Sequence, residues 1–259
     1  MEETMSTRRR QFKADARQLL DRNFRFYLLL FLPIFIIMIV TAVPQWMNGA
    51  GVDNPGYNLL SLLSIISGLL TVGVSFVLID LQRGVAELTE PVSKSFTIFN
   101  RGAYLWGAFA LEIITSVFTI LWSVLLLVPG IIKGLAYSQA IYIYRDYLDQ
   151  GHKIGFLEAI TLSRKMMDGH KWEYFVMQLS FIGWGIACVL IIPIIWVVPY
   201  MNQTMANFYV NLAAQEDESD EEPTVVSPVD DADQSTTESK PETPADGDEK
   251  TADNDDKTE

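Results

Sequence analysis

Only one cysteine, Cys188, occurs in 259 residues, and it lies inside an apolar run, so an intramolecular disulfide and a metal-thiolate cluster are both excluded. Histidine is nearly as scarce. His152 and His170 stand without clustered carboxylates or thiols at ligand spacing, and no metal site is expected on them. The G-x-S-x-G, H-E-x-x-H and P-loop patterns are absent, and no serine has a His/Asp pair placed to activate it. Residue patterns therefore point to no enzyme, no cofactor and no catalytic residue. Positive charge is missing from one stretch, Pro44 to Asn58, and that gap bears on topology.

Long apolar runs are what the chain does have: Phe24 to Val43, Leu59 to Ile79 and Tyr104 to Val128, then a shorter run from Ile131 to Tyr144 and a proline-interrupted one from Tyr174 to Tyr200. Crossing a hydrocarbon core of about 30 Å takes roughly 20 apolar residues at about 1.5 Å each. The first three runs meet that length, and the pattern predicts an all-α, polytopic helical membrane protein. Because the first run exceeds the length of a signal-peptide core and is followed by Pro44-Gln45-Trp46, it reads as a retained helix.

Basic residues fall in alternate gaps. Arg8, Arg9, Arg10, Lys13, Arg17, Arg22 and Arg25 place the N-terminus in the cytoplasm of a cell-membrane protein by the positive-inside bias, and the uncharged gap Pro44 to Asn58 is then external. Residues Asp80 to Ala103 and Arg145 to Glu173 again carry basic residues and read as internal. The chain must then cross twice between them, with a tight external hairpin at Val128-Pro129-Gly130 and a return along Ile131 to about Leu148. That return helix, with Lys133, Ser138 and Gln139, should face other helices or water. A second hairpin at Pro193 makes six crossings; with Pro193 as a kink there are five.

The net charge of −13 averages two unlike regions. From Glu216 to Glu259 there are 18 acidic and 3 basic residues, leaving 14 acidic and 16 basic for the rest. An acidic segment so poor in large apolar residues cannot offset its chain entropy by burial and is expected to be disordered. Three regions follow: a cytoplasmic amphipathic segment over 1–23, a multi-pass membrane domain over 24–213 and an acidic tail over 214–259.

The order of four stretches is specific: LWSVLLLVPGIIKGLAYSQAIYIYRD (Leu121 to Asp146), EAITLSRKMMDGHKWEYF (Glu158 to Phe175), LSFIGW (Leu179 to Trp184) and WVVPYMNQTMANFYVNL (Trp196 to Leu212). Together they resemble an uncharacterised family of Gram-positive integral membrane proteins, a domain of unknown function, over about Arg8 to Leu212. More distantly the layout is similar to membrane domains fused to glycerophosphodiester phosphodiesterases, without their catalytic domain. The resemblance implies a multi-pass membrane architecture and supplies no activity.

Three intramembrane polar residues are candidates. Glu112 lies about 12 Å in if its helix enters at Tyr104, and close to the cytoplasmic surface and Arg101 if it enters nearer Phe109; a charged group at mid-span costs about 2.5 to 3.5 kcal/mol. Lys133, four residues past Pro129, falls about 6 Å below the outer surface and some ~18 Å from Glu112 along the axis, so it should snorkel outward rather than pair. Gln139 is the third. Two amphipathic stretches read as interfacial helices on anionic lipid at the cytoplasmic face: Ser6 to Asn23, with Phe12, Ala16, Leu19 and Leu20 on one face and Arg8, Arg9 and Arg10, and Ile154 to Asp168, with Phe156, Leu157, Ile160 and Met167 opposite Arg164, Lys165 and nearby Lys171. Neither offers the basic surface that nucleic acid requires. Gly68, Gly73, Gly107, Gly183 and Gly185 are expected to permit close helix packing.

Two functional classes follow. One is a non-enzymatic scaffold in cell-envelope physiology, working with a membrane-protein partner or with copies of itself. The other is a small permease or channel-like component, its path lined by Glu112 and the helices Ile131 to Leu148 and Ile194 to Leu212.

Overall fold

Apolar length decides which segments become the long helices. In the computed structural model, which describes residues 5–48, 56–187 and 193–221, the helices are α1 (Met5–Arg22), α2 (Phe24–Asn48), α3 (Gly56–Gln82), α4 (Pro91–Ser95), α5 (Thr97–Asn100), α6 (Gly102–Leu125), α7 (Leu127–Tyr137), α8 (Ala140–Asp149), α9 (Phe156–Met166), α10 (Lys171–Leu179), α11 (Ile182–Ala187) and α12 (Ile194–Glu221). No strand occurs among the described residues. Among the described residues, three helices are long and apolar enough to cross a membrane, through Phe24–Thr41, Leu60–Gln82 and Gly102–Leu125. Residues 49–55 of the uncharged gap, Cys188 and the acidic tail from 222 lie outside the described residues.

Two of the segments expected to supply further crossings are built from shorter pieces, while the one after Pro193 lies in the single helix α12. Turns at Ser138 and Gln139 separate α7 from α8, and Ser180 and Phe181 separate α10 from α11. Even so, α7 and α8 together follow α6 antiparallel along its length. A Cβ on Gly130 would meet Ser123, one on Gly134 would meet Thr119 and one on Gly107 would meet the Tyr144 ring, while the Tyr104 hydroxyl donates to Asp149. The hairpin turn itself lies earlier than Val128-Pro129-Gly130. Leu126 takes the extended conformation (φ −157°, ψ 129°) and α7 starts at Leu127, with Pro129 in its first turn, where a missing N–H breaks no helical bond. Gly130 is required there for a different reason: a Cβ would come within 2.6 Å of the Ser123 Cα.

Past α8, Gly151 takes the left-handed conformation (φ 81°) that closes the helix, with its N–H on the Leu148 carbonyl. Helix α9 then runs back along α8 and α7. Phe156 packs on Tyr144 with ring centroids 5.4 Å apart, and Ser163 accepts from the Gln139 N–H at 3.2 Å while donating to the Ala136 carbonyl at 2.8 Å. Ala159, Ile160, Ser163 and Met166 form the buried face, whereas Leu157 is exposed. The sequence periodicity therefore located the helix but grouped exposed Leu157 on one face with Ile160 and Met167, which are buried. Protein, rather than a lipid surface, covers its inner face.

Two further expectations change. Within Asp80 to Ala103, read as a loop, α4 and α5 wedge against α2 and α3: the Ser95 hydroxyl donates to the Leu30 carbonyl at 2.5 Å, and fully buried Ile98 lies where Gly73 leaves room. The boundary at 214 is also passed by a helix, since α12 continues to Glu221, and the compact unit extends to Glu222. Its principal core joins α1, α2, α3 and α12 through Leu20, Tyr27, Phe31, Val74, Leu78 and Phe208.

Candidate functional site

Three arginines and three aspartates interlock where α3, α6, α8 and α12 meet. Arg145 on α8 donates to both carboxylate oxygens of Asp80 at 2.5 and 2.6 Å and to the Phe76 carbonyl at 3.2 Å, and it stacks on the Phe76 ring at 5.0 Å. Its Nε lies 3.1 Å from Asp149, an ion-pair distance without hydrogen-bond geometry. Next to Arg145 on α8, Asp146 receives a two-pronged bond from Arg83 at 2.9 and 2.7 Å and a third bond from the Tyr209 hydroxyl at 2.6 Å. Arg101 completes the set on Asp149 at 3.1 Å. The bond to Asp146 pushes the Arg83 guanidinium further above its ordinary value, against the opposing effect of burial, so it stays charged throughout the accessible pH range. Chemically the network is neutral, and it holds no unpaired nucleophile or base.

Beside it, Arg83, Asp146, Tyr209 and Glu216 help line a cavity of about 420 Å³. Among the described residues no group of three or more His, Cys, Asp or Glu could hold a metal ion.

A second polar seam fastens α1. Tyr27 donates to Gln203 at 2.8 Å, Gln203 donates to Asn207 at 2.8 Å, and Asn207 donates to the Phe12 carbonyl at 3.1 Å. Phe12 meets Phe208 edge to face at 6.0 Å, and Phe12, Ala16 and Leu20 are buried. The helical spacing was therefore right and the surface it faces was not: α12 covers the stripe assigned to lipid. Arg8 is likewise no free lipid contact, because it pairs with buried Glu173 at 3.1 Å, with His170 Nδ1 3.6 Å from the same oxygen. Arg9 and Arg10 border a small cavity with Lys13, whose amine donates to Ser180 and lies 4.6 Å over the Phe181 ring. Burial, followed by repulsion from Arg9, lowers the Lys13 value.

The three intramembrane candidates fall in different surroundings. Glu112 shares a groove of about 300 Å³ with Thr115, Ser116, Thr119, Tyr137 and Ser138, a polar strip between α6 and α7. Gln139 is buried at the break between α7 and α8; its amide donates to Ser138 at 2.8 Å, while its Oε1 finds no partner among the described residues. Lys133 departs furthest from expectation. Its ammonium lies 5.0 Å over Trp122, and it lines a cavity of about 350 Å³ together with Arg164, Lys165, Lys171 and Asp168. Sequence reading put Lys133 near one membrane surface and the other three cations at the opposite one. The return of α9 along α7 brings them together.

Sequence reasoning missed the ionic network, because its partners on different helices are 48 to 65 positions apart and each residue alone looks like an ordinary loop charge. Tyr209 and Asn207 were visible only as polar texture in an apolar helix. Among the glycines, Gly73 and Gly107 do sit at close contacts, Gly68, Gly183 and Gly185 face open space, and Gly130 and Gly134 were overlooked.

The fold defines an all-α membrane protein whose polar residues join helices. Residues 124–216 match the family described as a protein of unknown function (DUF975). That stretch begins in the last turn of α6 and ends within α12, so it contains Arg145, Asp146, Asp149, Glu173 and Tyr209, while Asp80, Arg83, Arg101 and Arg8 precede it. The resemblance drawn from Arg8 onward is carried by these later residues. No curated protein and no solved structure matches the chain.

Proposed function

We propose that this is a non-enzymatic integral membrane protein of the cell membrane, with its N-terminus in the cytoplasm, acting as a scaffold in cell-envelope physiology. One observation carries the reading: buried charge is consumed in joining helices, through Arg145 with Asp80, Arg83 with Asp146 and Arg8 with Glu173, while the outward surface around the α6–α7 turn is apolar. Val124, Leu125, Leu126, Leu127 and Val128 are all more than 60% exposed, a surface suited to lipid or to a neighbouring membrane helix. Orientation rests on the basic residues before Phe24, and reporter fusions after Gly151 and Gly51 should give cytoplasmic and external signals respectively. Reversed signals would overturn that assignment.

A second reading, a small permease, is favoured by the Glu112 groove alone. It lacks the second wall first drawn for it, since Gln203, Thr204 and Asn207 on α12 are buried against other helices. Purified protein in liposomes decides between the two. The scaffold reading expects no solute- or pH-driven flux above empty vesicles; reproducible flux abolished by Glu112→Gln would establish the permease.

A further inference from the structure

We propose that the cavity between α7 and α9 binds the phosphate of an anionic phospholipid, with the acyl chains lying on the adjoining apolar face of α6, α7 and α9. Three elements deliver its cations: Lys133 from α7, Arg164 and Lys165 from α9, and Lys171 from the start of α10. One carboxylate, Asp168, faces them, and it is already engaged by Lys171 at 2.7 Å. Lys133, Arg164 and Lys165 form no ion pair among the described residues. The contrast with the rest of the protein is sharp in sign: the network around Arg145 balances three arginines with three aspartates, whereas this cavity gathers four cations around one acid. Folding brings those like charges together against their repulsion, and a bound anion offsets it.

Phosphate suits the donors. Arg164 can present a planar two-pronged donor, and the lysines supply compact charges, as in basic pockets that hold anionic headgroups between membrane helices. Apolar surroundings select a lipid over a soluble anion. Ile132 lies in the cavity wall and is 46% exposed, Ile131 beside it is 45% exposed, and at the other end of α9 a groove of about 750 Å³ is walled by Ile113, Val117, Phe118 and Leu157. A free phosphate gains nothing from that surface, while a diacyl chain buries it. Since Lys133 and the α9 cations share one cavity, they meet the same headgroup. Arg8 is excluded by its bond to Glu173.

The inference rests on the chain's being a membrane protein and is independent of the scaffold-or-permease question, because binding is measured in detergent without flux. Full-length protein would be titrated with short-chain phosphatidylglycerol, phosphatidylcholine and inorganic phosphate, following bound lipid by native mass spectrometry and thermal melting. Phosphatidylglycerol should bind in preference to phosphatidylcholine, with affinity falling about fivefold for each of Lys133→Gln and Arg164→Gln. Lys133→Arg should retain binding, and Arg10→Gln, an exposed position on α1, should leave it unchanged. Arg164 is exposed, so its substitution decides the matter even where Lys133→Gln lowers the melting temperature. Equal binding of both lipids, or an equal loss in Arg10→Gln, would overturn the site in favour of diffuse surface charge. Saturation by inorganic phosphate at the same concentration as the lipid would overturn the lipid assignment.

Discussion

Arg145 and Asp80, 65 positions apart, form the shortest ion pair among the described residues: one guanidinium nitrogen of Arg145 reaches both carboxylate oxygens of Asp80, while a second reaches the Phe76 carbonyl one turn earlier on α3. Arg145 has a side chain only 8% exposed, and α8 is thereby held against α3 at two successive turns. A buried charge of this kind adds little net stability over a well-packed apolar pair, yet it is costly to leave alone. Its contribution is to set the register of α8 on α3.

Removing one partner should therefore do more harm than removing both. Asp80→Ala is expected to cost about 3–5 kcal/mol, and Arg145→Met combined with Asp80→Leu should recover much of that loss. Arg83→Gln, at a side chain 30% exposed, should cost less than Asp80→Ala. Thermal unfolding of the three variants in detergent tests the order, and a double variant no more stable than Asp80→Ala would contradict it.

Glycine substitutions should separate close helix contacts from open positions. A Cβ on Gly130 would lie 2.6 Å from the Ser123 backbone, and Gly130→Ala is expected to destabilise the α6–α7 hairpin by about 1–3 kcal/mol. Gly68 has nothing within 4 Å, so Gly68→Ala should be neutral or stabilising by up to about 1 kcal/mol. The comparison is a difference in melting temperature, and equal effects at both positions would count against the packing described here.

Docking of α1 on α12 predicts a defined protease response. Phe12→Ala should cost about 3–5 kcal/mol and, by undocking α1, let trypsin cut after Arg8, Arg9 and Arg10 in detergent without any anionic lipid present. A helix held only by lipid would behave otherwise: the unsubstituted protein would already be cut in neutral detergent and protected when anionic lipid is added.

Truncation should distinguish the two ends of the acidic region. A chain ending at Glu222 keeps the compact unit and should melt with the full-length protein. Ending at Ala214 removes the last turns of α12, with Gln215, which donates to Asn211 at 2.5 Å, and Glu216 on the wall of the Arg83 cavity. That shorter form should melt lower, and indistinguishable melting curves would show that those turns contribute nothing.

Helix content and apolar length are local properties, and the sequence alone determined them: three runs became the three long apolar helices, the Phe12-Ala16-Leu20 spacing became a buried face, and a hairpin formed near Pro129. Direction was also legible where geometry forced it, since α7 and α8 return along α6 as the paired charged gaps required. What covers each face was decided only by the tertiary structure. Periodicity records that a stripe is apolar without recording whether lipid or protein meets it, so the inner faces of α1 and α9 were read as lipid-facing when α12 and α7–α8 cover them. Partners distant in sequence follow the same logic. Arg145 with Asp80, Asn207 with the Phe12 carbonyl, and Lys133 with Arg164 in one cavity all depend on how helices cross and return, and no local pattern in the chain encodes those distances.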